Sequence, residues 1–198
     1  MNTIRTTAAF FAAAATFACA SAMAQGTPDT AVQRNINQQQ RIEQGLKDGS
    51  LNTREAARLE RGEARIERME SRAMRDGNLS DAERARINNA QNAESQRIYN
   101  QRHDAQTGDP NSASSRRMQA DVQRNVYQQE RIQAGVKNGS LTNREAGNLE
   151  RGQSRINRAE ARAGADGHVG PVEQRNIQAR ENRQSANIYA KKHNGRHQ

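Results

Sequence analysis

Apolar side chains recur at helical spacing in two successive segments and more weakly in a third, where Ile87 and Ile98 lie on an otherwise polar and Ala-rich face, and the same three segments return ninety positions later. This spacing predicts helices over about residues 30–47, 53–75 and 81–103, each with one apolar face. The apolar positions of the first copy are Val32, Ile36, Ile42, Leu46, Leu59, Ile66, Met69, Ile87 and Ile98. Gln39 interrupts the first stripe, and Gly62 lies within the second. Such narrow faces are typical of helices that pack only against other helices.

The chain contains a tandem repeat. Residues 33–103 align without a gap with residues 123–193, and 34 of the 71 aligned pairs are identical. Between the copies, residues 106–115 have the composition of a linker. We therefore predict an all-α fold in which a three-helix unit is duplicated, with a first repeat over residues 25–105, a linker over 106–118 and a second repeat over 119–198. The sequence leaves open whether the two repeats pack together.

Four turns share one pattern, in which a glycine is followed by an apolar residue, a capping position and then a glutamate. Gly139, Leu141, Thr142 and Glu145 form one example. Glycine can end a helix in the left-handed conformation at little steric cost. A Ser, Thr or Asn followed three residues later by Glu predicts a capping box, which satisfies free amides at the start of the next helix.

The same turns resemble the second half of an EF-hand calcium loop. On this alternative the calcium ligands are Asp48, Glu55, Asp76, Glu83, Asn138, Glu145, Asp166 and Glu173. Calcium needs six to eight oxygen ligands, and the first and third loop positions normally supply carboxylates. In the first turn these positions hold Gln44 and Leu46. The sequence therefore favours a degenerate helix–turn–helix with capping boxes, and a weak metal site is the alternative.

Residues 1–24 have the organisation of a secretory signal peptide. A single positive charge precedes an uncharged run of Ala and Phe, and Ala22-Met23-Ala24 supplies the small-x-small pattern of a cleavage site. We predict cleavage after Ala24 and a periplasmic or secreted protein. Cys19 is the only cysteine, so association with a membrane is expected only if Cys19 is lipid-modified.

Charge is high and mixed, with a formal net charge of +9 and a hydrophobic fraction of only 33%. Acidic residues alternate with arginines, as in the run from Glu63 to Arg68, which predicts i,i+4 pairs along a solvated helix rather than one basic face. There is no Trp, so stacking surfaces for bases are scarce. These features argue against nucleic acid and favour a protein or an anionic envelope component as the partner.

Each predicted third helix closes with the same tyrosine, basic residue and histidine. These candidate binding residues are Tyr99, Arg102, His103, Tyr189, Lys192 and His193. One reading is a binding pair for an aromatic or anionic partner. The other is that the tyrosine packs on the end of the bundle while the basic groups favour a helix C-terminus.

Catalysis is not expected. The chain has no Ser/His/Asp arrangement, no cysteine beyond Cys19 and no glycine-rich phosphate loop. We predict that the protein is not an enzyme and needs no cofactor.

Two resemblances bear on function. The segment from Gly135 to Ala146 resembles the Gly-Val-Lys-x-Gly-x-Leu-Thr-x-x-Glu-Ala turns of uncharacterised secreted proteobacterial helical proteins, which implies a fold and a compartment but no activity. The turns are also similar to those of Spy-type periplasmic chaperones, although Glu145 stands where that family has Gln. This second resemblance implies ATP-independent binding of unfolded proteins through a basic face.

The sequence therefore predicts a noncatalytic exported helical interaction protein, either chaperone-like or bound to anionic envelope components. The alternatives are a weak calcium- or metal-binding protein with degenerate EF-hand-like loops, and a nucleic-acid-binding protein.

Overall fold

The computed structural model describes residues 28–195, which form six α-helices and no strand in that range. The prediction of an all-α fold is confirmed. The helices are α1 Pro28–Asp48, α2 Thr53–Ala73, α3 Asp81–Arg102, α4 Ala113–Lys137, α5 Asn143–Ala163 and α6 Pro171–Lys192. The expected signal peptide, its cleavage site and Cys19 lie outside the described residues.

The segment between the repeats is shorter than predicted. Helix α4 begins at Ala113, inside the expected linker of residues 106–118, so the second half of that segment is helical. Helix α4 begins there because Ser112 caps it: the Ser112 side chain accepts a hydrogen bond of 3.1 Å from the Ser115 amide. The linker-like composition of the segment gives no sign of this cap.

Capping boxes begin the second and third helices of the first repeat, as predicted. Asn52 and Glu55 exchange side-chain to backbone hydrogen bonds at the start of α2, each 3.0 Å long. The same exchange occurs at the start of α5. The glycine before the box has a positive φ, +78° at Gly49 and +74° at Gly139, where an L side chain would be strained.

The two repeats pack against each other as one body. Helix α2 packs mainly on α5, and α1 packs mainly on α4. Both pairs are antiparallel. Arg54, near the start of α2, donates a 2.6 Å hydrogen bond to the carbonyl of Asp166, which follows α5. Arg144, near the start of α5, donates to the carbonyl of Arg75, which follows α2. Helices α3 and α6 cover the outside of this central four-helix arrangement.

Small residues bring α2 and α5 close together. A Cβ at Gly164 would lie 2.8 Å from the Ala57 Cβ and 2.7 Å from the Met118 methyl group. A Cβ at Gly147 would lie 2.9 Å from that of Met74. The close approach buries an apolar core that includes Leu59 and Ile156.

No helix in the described part of the chain is both long and apolar enough to cross a membrane.

Candidate functional site

The tertiary structure separates the charges of α2 and α5 completely. Every acidic residue of the two helices is buried, whereas every arginine is exposed or half-buried. The acidic set is Glu55, Glu60, Glu63, Glu67, Glu70, Glu145, Glu150 and Glu160. The arginine set is Arg54, Arg58, Arg61, Arg65, Arg68, Arg72, Arg144, Arg151, Arg155, Arg158 and Arg162.

The expectation of i,i+4 pairs along a solvated helix was therefore wrong. Glu63 and Glu67 lie in the interior, and Arg65 and Arg68 lie on the outside. No arginine of α2 or α5 has a carboxylate within 4.0 Å among residues 28–195. The reason is angular: acids spaced by three and four residues share one helix face, and the interleaved arginines, spaced in the same way, share another.

The exposed arginines form a continuous surface, which we call the arginine face, on the solvent side of α2 and α5. At one end it encloses a groove of about 350 Å³. The groove is lined by Arg68, Ser71, Arg72, Arg75, Arg151, Ser154, Arg155 and Arg158. Partial burial, and then the charges of Arg68, Arg162 and Arg155, lower the pKa of Arg158. Desolvation is the larger cause of this shift, and the smaller contribution, from neighbouring guanidinium groups, is a repulsion that a bound anion would relieve.

A second groove of about 450 Å³ extends the arginine face towards α3. It is lined by Arg58, Leu59, Arg61, Arg65, Arg97, Asn100 and Gln101. Arg97 is held there by an ion pair of 2.7 Å with Glu94. The arrangement can bind phosphate or carboxylate groups through charge-assisted hydrogen bonds, for which the planar guanidinium is well suited.

Behind the arginine face lies a core rich in carboxyl groups. Burial raises the pKa of Glu60 to about 8 and that of Glu70 to about 7. The outer interface between α4 and α6 adds Asp121, whose pKa rises to about 8, and Glu181, whose pKa rises to about 7. In all four cases desolvation is the main cause, because a low-dielectric interior penalises the charged form.

Amide side chains from α1 and α4 serve these acids. Gln39 Nε2 donates to Glu60 Oε2 at 3.0 Å, and Asn35 Nδ2 donates to Glu70 Oε2 at 2.8 Å. The residue that interrupts the apolar stripe of α1, Gln39, therefore has a defined partner in the interior.

The candidate Tyr/His endings form exposed stacks. The rings of Tyr99 and His103 lie 4.1 Å apart, and those of Tyr189 and His193 lie 4.2 Å apart. Each histidine Nδ1 also contacts the carbonyl of its tyrosine at 2.7 Å. The basic residue of each motif instead contacts a different part of the chain. Arg102 pairs with Asp48 at 2.9 Å, and Lys192 donates to the carbonyl of Arg131 at 3.3 Å.

The turn residues that the EF-hand alternative would use are engaged in local hydrogen bonds. Asp48, Asp76, Asn138 and Asp166 each accept from the amide two residues on. Glu55, Glu83 and Glu145 close capping boxes, and Glu173 accepts a 2.8 Å hydrogen bond from the Gly170 amide. Within residues 28–195 no group of three or more His, Cys, Asp or Glu side chains is arranged to hold a metal ion.

Sequence reasoning missed both the arginine face and the carboxyl-rich core. Their signal was present as two further stripes at helical spacing, one of Glu60, Glu63, Glu67 and Glu70 and the other of arginines. Charged side chains are mostly exposed in folded proteins, so the sequence alone does not indicate that the acidic stripe is a second buried face. In comparisons with known proteins, no protein family, no curated protein and no solved structure significantly matches the chain.

Proposed function

We propose that this protein is a noncatalytic interaction protein that binds anionic envelope material through the arginine face. The single observation that carries this proposal is the complete separation of charge on α2 and α5. Arginines that lack carboxylate partners remain able to pair with external anions, whereas arginines in ion pairs are partly neutralised.

The spacing of the arginines fits an extended or multivalent anion. A helix rises 1.5 Å per residue, so arginines spaced by three and four residues recur about every 5 Å along each helix. Two such rows run side by side on α2 and α5. This geometry suits a surface or polymer with many phosphate or carboxylate groups better than a single small ion. Expected export places lipid head groups and acidic envelope polymers within reach.

Binding of unfolded proteins is less well supported. The only large hydrophobic side chains exposed within residues 28–195 are Tyr99, Tyr127, Val172 and Tyr189. They are divided among three helices, α3, α4 and α6, whereas protein-binding surfaces are marked by contiguous apolar patches. Nucleic acid is the second candidate, because the arginine face could also contact a phosphate backbone and the interleaved acids that argued against it are buried.

The test is a cosedimentation assay with vesicles of zwitterionic phospholipid, with and without anionic phospholipid or lipopolysaccharide. The informative variant carries Arg65→Gln and Arg155→Gln, which occupy equivalent positions in the two repeats. A cationic side chain near an anionic surface contributes about 1 kcal/mol, so the pair should weaken binding by roughly 30-fold. Affinity for the anionic vesicles should also fall steeply as salt rises.

The matched control carries Arg86→Gln and Arg175→Gln, two exposed arginines outside the arginine face. It should bind like the parent protein. Equal binding to zwitterionic and anionic vesicles, or an equal loss in the control, would contradict the proposal. Tighter binding to a DNA duplex than to anionic vesicles at the same salt concentration would favour the second candidate. Suppression of client aggregation by the arginine variant and the parent alike would favour a chaperone.

A further inference from the structure

The groove at one end of the arginine face combines six arginines with two buried serines. We call it the arginine–serine groove, and its lining residues are Arg68, Ser71, Arg72, Arg75, Arg151, Ser154, Arg155 and Arg158. Its volume of about 350 Å³ lies in the range of about 300–1,000 Å³ that is typical of sites for small ligands. Among residues 28–195, no acidic side chain lines it. The groove therefore has the size of a discrete binding site and charge of one sign only.

Two of these arginines are fixed by hydrogen bonds that use only their Nε atoms. Arg151 Nε donates to Ser71 Oγ at 3.3 Å, and Arg158 Nε donates to the carbonyl of Ser154 at 3.0 Å. The terminal amino groups of both arginines make no hydrogen bond to another residue in the described part of the chain. A side chain that is already held in place loses less conformational freedom when a ligand binds. The groove is therefore partly pre-organised for an anion.

The equivalent end of the arginine face lacks three of the eight lining residues. The positions that differ between the repeats are Ser71 and Ala161, Arg75 and Ala165, and Ser154 and Ala64. The five other lining positions hold arginine in both repeats. Two serines and one extra arginine therefore distinguish this end of the face, and we expect one such site per chain.

A smaller groove between α5 and α6 adds positive charge next to the arginine–serine groove. Its volume is about 250 Å³, and its lining includes Arg155, which belongs to both grooves, together with Arg180 and Arg183. The positions that correspond to the last two in the first repeat hold Ala90 and Ala93. A ligand with several anionic groups can therefore extend from the arginine–serine groove towards α6.

We propose that the arginine–serine groove is a specific site for a ligand that carries two or more adjacent phosphate groups. This assignment rests on the proposed function, because the groove is part of the arginine face. A tetrahedral phosphate presents three terminal oxygens in different directions, so it can accept hydrogen bonds from arginines on both α2 and α5. A carboxylate presents only two oxygens, which lie in one plane. A terminal phosphate carries a charge of about −1.5 to −2 at neutral pH, so more than one is needed to balance six arginines.

The test is calorimetry of the purified protein with inorganic tripolyphosphate, and with citrate as the carboxylate probe, at pH 7 and physiological salt. We expect one tripolyphosphate per chain and weaker binding of citrate. The informative variant carries Ser71→Ala and Arg75→Ala, which are the residues of the second repeat at these positions. It should bind tripolyphosphate about 10- to 100-fold more weakly, because it loses charge-assisted hydrogen bonds. If this variant does not fold like the parent, Arg75→Ala alone, at an exposed position, provides the measurement.

The matched control is Arg58→Asn, which also copies the second repeat, where Asn148 stands. Arg58 is exposed and lies ten residues before Arg68, or about 15 Å along α2, which exceeds the Debye length of about 8 Å at physiological salt. The control should change the affinity for tripolyphosphate by less than about threefold. An equal loss in the control and the groove variant would overturn the proposal, as would equal affinity of the parent for citrate and tripolyphosphate.

Cosedimentation with anionic vesicles separates this site from the proposed function. Binding of the parent to anionic vesicles without binding of tripolyphosphate would overturn the site alone, whereas absence of both would overturn both proposals. Competition then identifies the source of the phosphate. Release of the protein from vesicles that contain lipopolysaccharide, by tripolyphosphate near its Kd, assigns the groove to a phosphorylated lipid head group. Simultaneous binding of vesicles and tripolyphosphate assigns it to a soluble polyphosphate.

Discussion

Asn157 Nδ2 donates a hydrogen bond of 3.0 Å to Glu67 Oε1, and these two residues occupy the same position in the two repeats. A second equivalent pair is in contact close by, since Ser154 Oγ donates to the carbonyl of Ala64 at 2.7 Å. Equivalent residues can touch each other only near an axis that relates the two repeats. The α2–α5 interface is therefore approximately two-fold, with an acid on one side of the axis and an amide on the other.

This asymmetric pair predicts a strong effect of Asn157→Asp. The change removes the donor to Glu67 and places a second carboxyl group beside it in the fully buried interface. Isolated buried charges destabilise strongly, so we expect a loss of about 3 kcal/mol in the free energy of unfolding at pH 8. The loss should be smaller at pH 5, because burial raises the pKa of Glu67 well above its ordinary value and a lower pH favours the uncharged form. Urea unfolding at both pH values measures it, with Asn148→Asp on the exposed surface of α5 as the control.

Replacing a buried acid with the amide of the other repeat should stabilise the fold. Neither carboxyl oxygen of Glu63 has a hydrogen-bond partner among the described residues, and burial followed by the charge of Glu94 raises its pKa well above the ordinary value. Glu63→Gln reproduces Gln153 and removes the cost of either burying a charge or taking up a proton. We expect a gain of about 2 kcal/mol at pH 8 and little change at pH 4. An equal gain at both pH values would show that ionisation of Glu63 is not the cause.

The buried acids predict that stability falls as pH rises. The folded-state pKa values of Asp121 and Glu181 are raised to about 8 and about 7, mainly by desolvation, while the ordinary values are near 4. The charge of Glu181 raises the pKa of Asp121 further, and Arg124, 3.2 Å from Glu181, opposes both shifts. At pH values between the ordinary pKa near 4 and the raised pKa of each group, the folded protein keeps a proton that the unfolded chain has lost. Stability is therefore fully present near pH 4 and declines as pH rises towards 8.

Each group contributes up to about 1.4 kcal/mol per pH unit within that window. Denaturant unfolding at pH 5, 6, 7 and 8 gives the slope of stability against pH directly. Asp121→Asn should flatten the slope, whereas Asp109→Asn, which alters an exposed acid, should not. A stability that rises from pH 5 to pH 8 would contradict this expectation.

Close packing between the repeats can be tested at Gly164. A Cβ there would lie 2.7–3.1 Å from Met118, Ala57 and the carbonyl of Thr53. We expect Gly164→Val to reduce the free energy of unfolding by about 2–3 kcal/mol, because the overpacked side chain would push α2 and α5 apart. Ala165→Val, at the exposed neighbouring position, is the matched control and should change stability by less than about 0.5 kcal/mol. Thermal melts of the two variants provide the comparison.

The sequence by itself determined the helices and how they begin and end. Three- and four-residue spacing located α2 and α5 clearly and α3 and α6 only weakly, and the glycine and capping pattern located the turns. Both signals depend on contacts between residues that are near in the chain. Helix α4 shows the limit of this local reasoning. Its start at Ala113 depends on a serine cap within a segment whose composition is that of a linker.

Only the tertiary structure decided which charged residues are buried. Helix α2 carries three stripes, an apolar one that includes Leu59, an acidic one that includes Glu60 and a basic one that includes Arg61. The local pattern alone favours the apolar stripe as the buried face. The pairing of α2 with α5 and of α1 with α4 supplies amides such as Gln39 to receive the acidic stripe. Burial of the acids then leaves the arginines of α2 and α5 on the surface without carboxylate partners. The physical reason is that a buried carboxyl group needs partners from other helices, and their identity depends on how distant parts of the chain pack together.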